Sequence, residues 1–204
     1  MSSMSSLQRA LFVLLGVGLV IAAAGWAVLA FRAPNKAAEQ HQPERFGWAP
    51  DFEMTAHTGV MISNRSLLGK PWVCDFFFTS CKGICPKLTS SMKALQDTTD
   101  VKLISFSVDP EHDTPSVLER YAQKAGAKPE RWLFLCGKPG EVQRISRNGF
   151  KLGATEVPGA ILHSDRLILV DAEGRIRGYY HGTDEDEIAR LRSDLALLSN
   201  KSTR

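Results

Sequence analysis

The chain has 204 residues, 44% hydrophobic and 23% charged, which suits one globular domain plus a short extension. Its 25 Lys and Arg against 22 Asp and Glu leave a formal net charge of +3. That is too small to argue for nucleic-acid binding, and no Lys/Arg cluster carries interleaved aromatics, so that class is set aside.

A short tail, residues 1–9, precedes the run Ala10 to Phe31, which holds 22 residues without a charge. A helix rising about 1.5 Å per residue would span roughly 33 Å there, enough for a hydrocarbon core of about 30 Å. The run predicts one N-terminal transmembrane helix over 10–31. A cleaved signal sequence ending at Ala22-Ala23-Ala24 is the rival reading. The run continues past that site through Trp26, Val28, Leu29 and Phe31, which favours the anchor. Arg32, Lys36 and Arg45 after the run stand against Arg9 and the amino terminus before it, so charge bias alone does not favour export; for a long translocated domain that rule is weak. Residues 32–45 are polar, include Pro34 and Pro43, and read as a tether. The folded domain is expected over 46–204.

Within that domain, Asp51 to Leu68 reads as a short strand, a turn at His57-Thr58-Gly59, a return through Val60-Met61-Ile62, and a helical turn capped by Ser63 or Asn64. Pro71 to Phe78 is an apolar, β-rich run and predicts a buried central strand. Pro86 fits the first turn of a helix running to Thr98, with Leu88, Met92 and Leu95 on one face. Val101 to Val108 is the next strand. Thr114 and Pro115 open another helix as cap and first residue, with Val117, Leu118 and Tyr121 inward. Trp132 to Cys136 reads as a strand and Gly140 to Asn148 as a helix. Arg166 to Val170 and Arg175 to Tyr180 form a hairpin around Asp171-Ala172-Glu173-Gly174. Asp184 to Ser199 closes the chain as an amphipathic helix with Ile188, Leu191, Leu195 and Leu198 inward. Strands alternating with helices argue for an α/β layer fold.

The chemistry concentrates in Phe77-Phe78-Thr79-Ser80-Cys81-Lys82-Gly83-Ile84-Cys85-Pro86, between the buried strand and a helix start. A helix N-terminus favours negative charge and lowers a nearby thiol's pKa, and thiolate is the form that binds metal or attacks a disulfide. The common redox spacing is C-x-x-C; here three residues intervene, and Gly83 lets the loop turn. The residues therefore suit metal binding or thiol redox chemistry, with two structural cysteines as the bland alternative.

The same residues resemble the Sco/SenC family, copper chaperones for cytochrome c oxidase assembly. The resemblance runs over roughly Phe46 to Ser199. Phe78-Thr79-Ser80-Cys81-Lys82-Gly83-Ile84-Cys85-Pro86 is similar to the family's F-T-x-C-x-x-x-C-P, and Ser107-Val108-Asp109-Pro110-Glu111-His112-Asp113-Thr114-Pro115 to its S-V-D-P-x-R-D-T-P. Leu162-His163-Ser164 stands at its D-H-S, and Asp171-Ala172-Glu173-Gly174 at a later turn. The resemblance implies a thioredoxin-like sheet flanked by helices, copper as the bound metal, and Cys81, Cys85 and His163 as ligands. It places Asp109 near the copper. Two thiolates with one imidazole form a soft, low-coordinate set that suits Cu(I). The implied client is the copper-centre subunit of the oxidase, met outside the cytoplasm, by a bacterial inner-membrane protein facing the periplasm. The implied role is that of a metallochaperone rather than an enzyme; a thiol-disulfide oxidoreductase that reduces the client's cysteines is the alternative. Lys82 and Gly83 replace the usual Pro and Asp, Ser80 a common His, Leu162 an Asp and His112 an Arg. These departures leave the ligand set intact and alter the charge around it.

Among the remaining candidates, His112 reads as a solvated loop residue, with a transient second ligand as the sharper reading. His41, His57 and His181 read as surface residues. Cys74 and Cys136 lie in strands and read as small buried hydrophobes, with a disulfide between them as the lesser alternative.

Overall fold

The computed structural model describes residues 43–152 and 164–201. The anchor over 10–31, the tether up to Gln42, His41 and His163 lie outside these residues. Among the described residues no helix is long and apolar enough to cross a membrane.

Eight strands form one mixed sheet: β1 (Gly47–Trp48), β2 (Glu53–Ala56), β3 (Met61–Ser63), β4 (Trp72–Phe77), β5 (Lys102–Ser107), β6 (Trp132–Cys136), β7 (Arg166–Val170) and β8 (Arg175–His181). Their order is β1-β8-β7-β4-β5-β6-β2-β3. Helices α1 (Cys85–Thr98) and α2 (Pro115–Ala125) connect the parallel strands β4, β5 and β6. β7 pairs antiparallel with β4, and the closing helix α4 (Glu185–Lys201) follows β8. β4 is central and wholly buried, as its run of apolar residues predicts. The order β5-β4-β7-β8, in which β7 runs antiparallel to the other three, is the thioredoxin-like core.

One face of the sheet carries Val73, Asp75 and Phe77 of β4 with Ser105 of β5 and Trp132 and Phe134 of β6, and lies under the helices. Phe77 packs on Tyr121 of α2 at 5.2 Å between ring centroids, and Tyr180 donates to Asp194 of α4 at 2.7 Å. The other face carries Trp72, Cys74 and Phe76; Trp72 packs against Phe52 and Phe150, and Phe76 against Phe150.

Several local details depart from the sequence reading. β1 was not visible in the sequence; it pairs Gly47 with Ile176 and Trp48 with Arg175. α1 begins at Cys85, one residue before Pro86, so this thiol belongs to the helix's first turn. Thr114 is the N-cap of α2, but its hydroxyl makes no capping bond; Val117 and Tyr121 are half-buried, and Ala122 joins Leu118 inside. The helix read over 140–148 is a single α turn, α3 (Glu141–Arg144), followed by a π turn over Ile145–Gly149. The Phe150 N–H bonds to the Ile145 carbonyl at 2.8 Å, and this wider turn brings Phe150 under Trp72 and Phe76. His57 is buried rather than a surface turn residue: its Nδ1 accepts from the Phe134 N–H at 3.2 Å.

Candidate metal centre

The parallel strands all end on one side, the end of an open α/β sheet where sites form. From the end of β4, Phe78 and Thr79 lead into the loop. The Cys81 N–H bonds to the Phe78 carbonyl at 3.2 Å, folding the chain back, and the Leu88 N–H bonds to the Ile84 carbonyl at 3.1 Å to start the helix. Pro86 sits in that first turn, where no N–H is needed.

This brings Cys81 and Cys85 together, both as free thiols. Cys81 is half-buried and Cys85 buried. Partial burial raises the Cys81 pKa. A hydrogen bond from the Cys85 thiol and the backbone groups of Cys85, Gly83 and Ile84 outweigh it, so Cys81 ends below the ordinary thiol value. Burial, and then the bond to Cys81, push Cys85 up to about 12. One sulfur is therefore reachable and ionises more readily than an ordinary thiol, while the other holds its proton and gives a hydrogen bond to the first.

Asp75, on the helix-covered face of β4, is 2% exposed. Burial pushes its carboxyl up to about 7, and Oδ1 has no hydrogen-bond partner among the described residues. Its charge adds to the forces that hold Cys85 protonated. Asp109 and His112 pair in the loop after β5, with Nδ1 2.9 Å from Oδ1. That bond, and then the carboxylate's charge, raise His112 above its usual range. His112 is exposed and its partner is a carboxylate rather than a thiol, in keeping with the solvated-loop reading.

Cys74 and Cys136 do not pair. Cys74 is opposite Ile104 of β5, whose own opposite on β6 is Leu133. Alternation from Leu133 puts Cys136 on the other face of the sheet, and both thiols are free. Cys74 is fully buried, as expected; Cys136 is half-buried at the end of β6. His181 is held at 2.6 Å by Asp165 Oδ2. Among the described residues no group of three His, Cys, Asp or Glu side chains converges on one point. The third expected ligand, His163, lies outside them.

The sequence profile of the SCO1/SenC family matches residues 39–196. The chain belongs to the SCO1/SenC family. The SCO1 protein homolog of Bacillus subtilis strain 168 is 32% identical over 156 residues, covering 72% of this chain and 81% of that protein. A structure of BsSco, a Sco-family cytochrome c oxidase assembly protein in which a disulfide switch is identified, superposes with a TM-score of 0.66 at 27% identity. It covers 78% of this chain and 98% of the other. The copper-bound structure of Bradyrhizobium japonicum ScoI gives 0.54 at 26% identity over 72% and 98% of the two chains. Sco proteins of this fold thus include ones characterised with copper bound. The two thiols lie between β4 and the first turn of α1, the strand and helix start that the sequence reading named. It gave no role to Asp75 or Asp113, because a carboxylate's burial leaves no local pattern; the cue available was an Asp inside an otherwise apolar strand.

Proposed function

We propose that this SCO1/SenC protein is a membrane-anchored metallochaperone that carries copper to the copper-centre subunit of cytochrome c oxidase. Cys81 and Cys85 supply thiolates, and His163 supplies the imidazole that completes a soft, low-coordinate set for Cu(I). The anchor is the apolar run over 10–31, and the domain works outside the cytoplasm. The observation that carries this reading is the thiol pair itself. Two sulfurs meet at the open end of the sheet, at the first turn of a helix, one of them exposed enough for an incoming ligand to reach. The copper-bound and oxidase-assembly relatives support the choice of metal and client.

Copper titration of the reduced protein tests it. The expected result is about one Cu(I) per chain, as one soft ligand set requires. Cys81→Ser or Cys85→Ser abolishes tight binding, Cys74→Ala and Cys136→Ala leave it unchanged, and His163→Ala weakens it markedly. Unchanged affinity in either Ser variant sinks the assignment.

A second reading, thiol-disulfide exchange on the client's cysteines, is favoured by the asymmetry of the pair. The lowered Cys81 thiol suits attack and the protonated Cys85 suits resolution. His163→Ala separates the two, since exchange needs no imidazole: a variant that loses copper yet still assembles the oxidase favours the reductase.

A further inference from the structure

Asp113 lies between the two loops at the open end of the sheet and is fully buried. Its Oδ2 accepts the Thr79 N–H at 3.1 Å and the Ser107 hydroxyl at 2.6 Å, and its Oδ1 accepts the Thr79 hydroxyl. Thr79 stands 34 residues earlier, two before Cys81, so these bonds cross between elements. The Ser107 oxygen in turn accepts the Asp109 N–H at 3.2 Å. The backbone closes the same loop, with the Asp113 N–H on the Asp109 carbonyl at 2.9 Å. A buried carboxyl group that accepts two hydrogen bonds from Thr79 and one from Ser107 at the end of β5 fixes these segments against each other, because every bond it loses leaves a buried acceptor unpaired. Other buried carboxylates bond differently. Asp171 serves its own turn and Arg177, and Asp194 takes a tyrosine hydroxyl.

We propose that Asp113 is a positioning residue for the thiol pair: its carboxylate clamps the Thr79–Cys85 loop to the Asp109–His112 loop and thereby sets the arrangement in which the two sulfurs act. The clamp rests on Cys81 and Cys85 being the working thiols, whether they hold copper or exchange disulfides. Partners that orient ligands in this way are commonly worth roughly ten- to a hundredfold in metal affinity.

Thr79→Val removes the clamping hydroxyl and keeps the side chain's shape; Thr79→Ser restores it. Asp113→Asn keeps the shape but places a donor where acceptors are needed. Each variant is made in the full-length chain, and its folding is checked by circular dichroism and thermal melting. Two quantities are then read. One is Cu(I) affinity against a competing chelator. The other is the Cys81–Cys85 reduction potential in glutathione buffers, where two thiols and one glutathione disulfide give one protein disulfide and two glutathiones. Thr79→Val and Asp113→Asn are expected to lose roughly ten- to a hundredfold in affinity and to shift the potential, while Thr79→Ser behaves as the wild type. A folded Thr79→Val protein with wild-type affinity and potential overturns the proposal. Should Asp113→Asn not fold, Thr79→Val and Ser107→Ala decide it. Should the wild type bind no Cu(I), the copper reading fails, and the potential alone decides: a shift supports the clamp and no shift overturns it.

Discussion

Asp75 and His57 show how one buried ionisable group changes the energetics of the fold. Burial pushes Asp75 from 3.8 up to about 7, so the folded state holds a proton that the unfolded chain has released by then. That contribution is fully present below about pH 4 and is lost as pH rises through about 7. Burial lowers His57 from 6.5, so its effect has the opposite sign, and stability falls as pH drops below 6.5. Replacing Asp75 by Asn isolates the first effect, because both proteins keep His57. Unfolding free energy of the wild type should fall relative to Asp75→Asn between pH 4 and 8, by on the order of 4 kcal/mol for a rise from 3.8 to about 7. Parallel curves from denaturant titrations at each pH would refute this. The sequence did expose the thiols, whose loop spacing and following proline are local. It hid Asp75, Asp113 and His57, whose burial depends on strands far away in the chain.

Elements were legible where one face is apolar at a regular period. β4, β5, α1 and α4 follow from such patterns, with Leu88, Met92 and Leu95 all inside. β1 was not legible, because two exposed residues on a sheet edge carry no pattern, and the π turn was not because its register is set by where Phe150 must pack. Gly178 is a further case. In β8 it shares a face with Tyr180, and a Cβ there would lie 2.3 Å from the Tyr180 hydroxyl oxygen. That hydroxyl donates to Asp194 of α4 at 2.7 Å and is fully buried with its ring. Glycine is therefore required by a close approach between side chains and not by its backbone angles. Gly178→Ala should displace Tyr180, break its bond to Asp194 and lower stability by about 2 kcal/mol, from overpacking and one lost buried hydrogen bond. Equilibrium unfolding measures this, and Gly178→Ala with Tyr180→Phe should cost less than the sum of the two single changes.

At the scale of the whole domain, the chain enters at one end and presents its thiols at the other. Val170 is opposite Trp72 at the start of β4, so the Asp171 turn marks the end of the sheet away from Cys81. β4 spans roughly 20 Å at about 3.3 Å per residue. Arg177 holds the entering segment at that far end: its guanidinium donates to the Pro43 carbonyl at 2.7 Å, to the Glu44 carbonyl at 3.0 Å and to Asp171 Oδ2 at 3.0 Å. Arg177 is 8% exposed and Asp171 3%, so this is a buried ion pair whose spare donors are satisfied by backbone outside the sheet. Tether composition pointed to a domain starting at Phe46, but the strap formed by Pro43 and Glu44 supplies acceptors the domain uses. A chain shortened to begin at Phe46 loses both acceptors and opens the ion pair to water. It should be less stable than one beginning at Gln42 by about 2 kcal/mol, a value tempered by the water that replaces the lost carbonyls. Urea midpoints of the two chains measure the difference. In an Arg177→Met background, where no donor awaits the strap, the difference should shrink toward zero. Equal midpoints with Arg177 intact would show that the strap carries no stability. A difference that persists undiminished without Arg177 would assign it to the packing of Pro43 instead.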